Sequence, residues 1–118
     1  MKHKYGEFSN SQVYKAKNIL RKDIFFLLLC VDPKTKQEYA DINVNKTFQN
    51  ILNKIGGMNE LLFCPPELVI TLSLLERAYM EYTNPDFNFY VYRKLILDAG
   101  SEIMKVEEVD NNAELSQL

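Results

Sequence analysis

Residues 9–32 read SNSQVYKAKNILRKDIFFLLLCVD, and the recurrence of apolar side chains along this stretch decides the fold class. Val13, Ala16, Leu20, Ile24, Leu27 and Val31 follow one another at intervals of three and four, the repeat of one face of an α-helix. Ser9 and Gln12 precede that stripe at the spacing of a capping box, in which a hydroxyl and an amide satisfy two orphan backbone N–H groups. The spacing therefore predicts a helix that begins at Ser9 or Asn10. From Ile24 the stripe widens, as Phe25, Phe26, Leu28 and Leu29 make the helix apolar on every side. Such a helix is surrounded by protein, so its second half is expected at the centre of the domain or against another subunit. Asp32-Pro33 stops it, because the proline ring crowds the preceding residue out of the α conformation.

Three more amphipathic segments lie downstream. Residues 33–45 read as a connection, with a short strand or turn near 38–44. Val44, Phe48, Ile51, Leu52 and Ile55 predict a second helix over 45–55, with Asn45 as its N-cap and Gly56-Gly57 as the left-handed stop. Residues 58–64 then form an apolar connector. Pro65-Pro66-Glu67 opens a third helix, since proline suits the first helical position. Its stripe is Leu68, Leu72, Leu75, Tyr79 and Tyr82, widened by Val69 and Met80. Thr83-Asn84-Pro85-Asp86 is a stop-and-turn signal. A fourth helix is predicted over 86–106, with Phe89, Tyr92, Ile96, Ala99, Ile103 and Val106 facing inward. Residues 87–92 are rich in strand formers, so a short strand is the alternative there. The pattern is all-α: a single-domain antiparallel bundle of about four helices over 9–108. Residues 1–8 are expected to be a flexible N-terminus and 109–118 a disordered acidic tail.

Composition bounds the function. With 118 residues, 47% apolar and 25% charged, one domain can hold a core without disulfide or metal. Both cysteines, Cys30 and Cys64, have apolar neighbours and read as buried small hydrophobes. The polar N-terminus shows no secretory leader, and the longest apolar run, 24–31, is far below the roughly 20 residues of a membrane span. A cytoplasmic protein without membrane partners is expected. An excess of Lys, Asn, Ile, Phe and Tyr, which have AT-rich codons, points to a low-GC bacterium or its mobile elements. The net charge is −2 but unevenly placed: residues 1–60 carry +4 and residues 61–118 carry −6, an asymmetry able to orient the molecule on a partner or a second copy.

Most site chemistries have no residues to build them. His3 is the single histidine, which argues against zinc sites, di-iron bundles and His-based triads. Asp41-Ile42-Asn43-Val44-Asn45 opens like a calcium loop but continues with Lys46 where glycine is needed and Leu52 where glutamate is needed. There is no phosphate-binding glycine loop. No cofactor or metal is expected, and no catalytic residue. Asp98 is read as an i,i+4 partner of Lys94 rather than a pocket acid, and Asp23 as a partner for a base across the bundle.

What remains is recognition. Tyr79, Tyr82, Phe87, Phe89, Tyr90 and Tyr92 crowd into 14 residues around the predicted turn, followed by Arg93. Exposed tyrosine with arginine is the composition of interface hot spots. The expected function is a small non-enzymatic protein–protein interaction or accessory protein that binds another protein or itself. The alternative is a nucleic-acid-associated regulatory protein that contacts phosphates through Lys15, Lys17, Arg21 and Lys22.

Overall fold

The computed structural model describes residues 1–106. Four helices follow a small N-terminal hairpin: β1 (Lys2–His3), β2 (Gly6–Glu7), α1 (Asn10–Leu29), α2 (Val44–Leu61), α3 (Pro66–Tyr82) and α4 (Phe89–Ile103), with a single 3₁₀ turn at Lys36–Tyr39 between α1 and α2. The helices form an all-α bundle in which α1 packs on α2 and α4, and α3 packs on the same two. The expected acidic tail at 109–118 lies outside the described residues.

The capping box is present at the start of α1: the Gln12 N–H donates to Ser9 Oγ at 3.1 Å and the Ser9 N–H donates to Gln12 Oε1 at 2.8 Å. Ile24 and Leu27 are completely buried, each contributing roughly 1.5–3 kcal/mol by leaving water. Phe25, Phe26, Leu28 and Val31 are half-buried around them. The apolar half of α1 is thus covered within one chain, with only the outer edge of Leu29 left exposed.

Two helix boundaries differ from the sequence expectation. α2 does not stop at Gly56-Gly57 but runs through both glycines to Leu61. Phe48, Ile51, Ile55 and Leu62 are buried and Met58 packs against them, so one apolar face continues in register past the glycines. That burial outweighs roughly 1 kcal/mol of helix propensity lost per glycine. The actual stop falls on Phe63 and Cys64, at φ 63° and 55°. The Cys64 N–H donates to the Asn59 carbonyl at 2.8 Å, closing the turn as a glycine usually would. At the other end of α2 the N-cap is Asn43, two residues ahead of the expected Asn45; its Oδ1 accepts from the Lys46 N–H at 3.0 Å.

α4 is helical from Phe89, which excludes the strand alternative. It starts three residues later than expected because Asn88 caps it, accepting from the Tyr90 and Val91 N–H groups at 2.9 and 3.3 Å. Of the strand and the turn expected near 38–44, the turn is present: residues 36–39 form a 3₁₀ turn. At the N-terminus, residues 1–8 carry the hairpin, in which Lys2 pairs with Glu7 and His3 with Gly6. It is tied to the end of α2 by the Lys4 N–H, which donates to the Leu61 carbonyl at 3.0 Å.

Candidate functional site

The aromatic residues singled out in the sequence separate into an inward and an outward set. Tyr92 is completely buried. Its hydroxyl donates to the Leu27 carbonyl at 2.7 Å, one of the last four carbonyls of α1, which have no partner within the helix. Tyr79 stacks on Phe48 of α2 with centroids 5.2 Å apart, and Tyr82 lies 6.2 Å from the same ring. Phe87 meets the Tyr92 ring edge-on at 5.8 Å. Phe89 is half-buried against the core. Most of the cluster therefore closes the end of the bundle where α1 and α3 finish and α2 and α4 begin. Burial, with Cys30 and Tyr82 nearby, pushes the Tyr92 phenol far above its ordinary range, and burial also raises the Cys30 thiol.

The outward set is smaller. Tyr90 is 80% exposed and Met80 is 71% exposed, while Val91, Phe87 and Arg93 also lie at the surface. Met80 and Val91 line one shallow groove between α3 and α4, with Arg77, Glu81 and Leu95 beside them. Met80 and Val69 were expected to widen the inward stripe of α3. Both are exposed, because each lies about 100° or more around the helix from Leu68 and Leu75, on the side that neither α2 nor α4 covers. Val91 and Arg77 were missed by sequence reasoning. The available signal was their phase: Arg77 lies four residues after Ser73 and three before Met80, along the outer line of α3.

The turn carrying this surface is tied down by its own polar groups. Glu81 Oε1 accepts from the Asn88 N–H at 2.7 Å, and Asn84 Oδ1 from the Asp86 N–H at 2.8 Å. The Thr83 hydroxyl donates to the Tyr79 carbonyl at 3.1 Å. Rigid presentation lowers the ordering cost of binding.

The basic residues of α1 separate in the same manner. Lys15, Arg21 and Lys22 are exposed, and the Arg21 guanidinium lies 5.2 Å from the centre of the Phe25 ring. Lys17 is buried, and its ammonium donates to the carbonyls of Met104 at 3.1 Å and Val106 at 2.8 Å. Its long apolar stem lets it reach them from the interior, so it is not presented to phosphates. No family model, curated protein or solved structure matches this chain.

The carboxylates stand apart from one another. Asp98 is exposed and pairs with Lys94 at 3.0 Å one turn away, while Asp23 pairs with Lys54 of α2 at 3.1 Å. Among the described residues, no three of His, Cys, Asp or Glu gather closely enough to hold a metal ion. Cys30 is buried as expected, whereas Cys64 is exposed, since the left-handed turn that ends α2 carries it outward. Both thiols are free. Among the described residues, no helix is long and apolar enough to cross a membrane.

Proposed function

We propose that this chain is a non-enzymatic protein-binding domain whose docking face is the outer side of α3 together with the first turn of α4. The observation that carries this reading is the exposure of Met80, Tyr90 and Val91 beside a groove edged by Arg77 and Glu81. Aromatic residues, Met and Arg are the types enriched in interface cores. Flexible Met side chains also adapt to a partner's shape. The hydrogen-bonded turn from Thr83 to Asn88 holds these side chains in place.

The test compares the wild type with Met80→Asp and Val91→Asp in affinity capture from cells, alongside light scattering of each purified protein. A partner, or a second copy of the chain, is expected to be held by the wild type and released by both variants at unchanged helical content. Equal retention by all three proteins, or a strict monomer that enriches nothing, overturns the proposal. A nucleic-acid role would rest on Lys15, Arg21 and Lys22 without Lys17. A gel shift at low salt, where phosphate-driven binding is strongest, is expected to remain negative.

A further inference from the structure

We propose that the hairpin end of the bundle, opposite the aromatic end, is a binding site for a straight alkyl chain. A pocket of about 210 Å³, partly open to the surface, lies there against the N-terminal hairpin. Protein interiors are packed nearly as densely as organic crystals, with few voids larger than a water molecule. This volume exceeds the roughly 150 Å³ that suffices for an apolar cavity to take up a small hydrocarbon.

The chemistry of the wall selects the ligand. Val13 and Leu20 of α1, Leu62 after α2, Leu68 of α3 and Ile103 of α4 form the inner wall, all aliphatic. Water needs two to four polar partners to be held, and these side chains provide none. Of the polar neighbours, the Lys17 ammonium donates to the Met104 and Val106 carbonyls, and Gln12 Oε1 accepts from the Ser9 N–H. Phe8 is the single aromatic residue of the lining, so stacking contributes little and a flat ring has no advantage over a chain. Met1, Ala16, Met58 and Val106 also line it, and the unbranched thioether side chains adjust to chains of different length.

Access is through the hairpin. Met1 and Phe8 belong to it, and its strands are two residues each, too short to be stable alone. The Met1 and Phe8 backbone pair, at 2.7 and 2.9 Å, joins its two ends to each other, the Lys4 N–H bond to the Leu61 carbonyl ties it to the end of α2, and Met1 and Phe8 pack against the core. The hairpin edges the mouth of the pocket, so its movement widens the opening without unpacking a helix. This site is remote from the Met80–Val91 groove, so the two proposals stand or fall separately.

The test titrates the full chain with 1-hexanol, 1-heptanol and 1-octanol, followed by calorimetry and by methyl NMR signals of Val13, Leu20, Leu62 and Ile103. One saturable site is expected, with affinity rising about fourfold per added methylene and shifts confined to methyls of the pocket lining. Ala16→Phe, which places a ring in the cavity, is expected to abolish binding; Ala16→Leu is the smaller filler and is expected to weaken it if the larger one does not fold. The Met80→Asp variant is expected to bind like the wild type. Absence of saturable binding, affinity that does not change with chain length, or binding unaffected by a folded Ala16 variant overturns the proposal.

Discussion

Lys17 of α1 and Tyr92 of α4 cap the ends of each other's helices. Lys17 lies in the first half of α1 and donates to carbonyls just past the end of α4; Tyr92 lies in the first turn of α4 and donates to the Leu27 carbonyl near the end of α1. The reciprocity follows from the antiparallel packing of the two helices. Each donor meets carbonyls at a helix C-terminus, where partial negative charge gathers. Lys17→Met keeps the apolar stem but orphans buried carbonyls, so a loss of about 1–3 kcal/mol is expected; Tyr92→Phe is expected to cost about 0.5–1.5 kcal/mol. Urea unfolding measures both, and unchanged midpoints would show that the caps carry no stability.

The Tyr92 bond also fixes the response to alkali. The buried phenol keeps its proton in the folded chain well beyond pH 10, where the unfolded phenol loses it. Above that point the unfolded state binds fewer protons, so stability falls as pH rises, while below it the contribution is fully present. The raised Cys30 thiol acts with the same sign from about its ordinary value of 9.0 upward. Urea midpoints measured from pH 8 to 11.5 are expected to fall, and Tyr92→Phe is expected to make the decline shallower. Parallel curves for the two proteins would rule out Tyr92 as its source.

The same substitution is expected to have opposite signs at different glycines. A Cβ on Gly100 would come within 2.5 Å of Phe25 Cε1, so Gly100→Ala displaces the half-buried Phe25 ring from its packing and is expected to cost about 1 kcal/mol. Adding Phe25→Leu is expected to recover part of that loss. Gly56 and Gly57 face open space inside α2, so alanine at either is expected to stabilise by about 0.5–1 kcal/mol. Thermal unfolding of the three single variants checks the signs.

Phe63 stands at φ 63° with 63% of its surface exposed. An L-residue in this conformation costs roughly 1–2 kcal/mol that glycine avoids, and little apolar burial is lost on removing the ring. Phe63→Gly is therefore expected to raise the melting temperature, with a gain of about 1 kcal/mol. A lower melting temperature would mean that the ring packs on the chain in solution.

The fold was legible wherever apolar spacing alone determined the outcome. Ile24, Leu27, Leu75, Ile96 and Ile103 are all in the core, as their periodicity required. Gly56-Gly57 misled because a local stop signal competed with a face that continues through Met58 to Leu62, and the buried face prevailed. The candidate site was legible as a region but not residue by residue. Tyr92 and Tyr90 lie two positions apart on one helix, yet one is completely buried and the other 80% exposed. Composition does not reveal which ring points where; that depends on how α4 is rotated against α1. Lys17 was unreadable for a related reason, since a lysine with a buried stem and a helix end as its partner looks in sequence like any surface lysine.

The two thiols give the molecule a pair of chemical clocks. Cys64 is exposed beside the hairpin end, and Cys30 is buried at the aromatic end. A water-soluble alkylating reagent meets the first in the native fold, and the second only when the close of α1 leaves its packing. The rate at each sulfur thus times a different opening, and the interval between them measures how far the two ends of the bundle come apart independently.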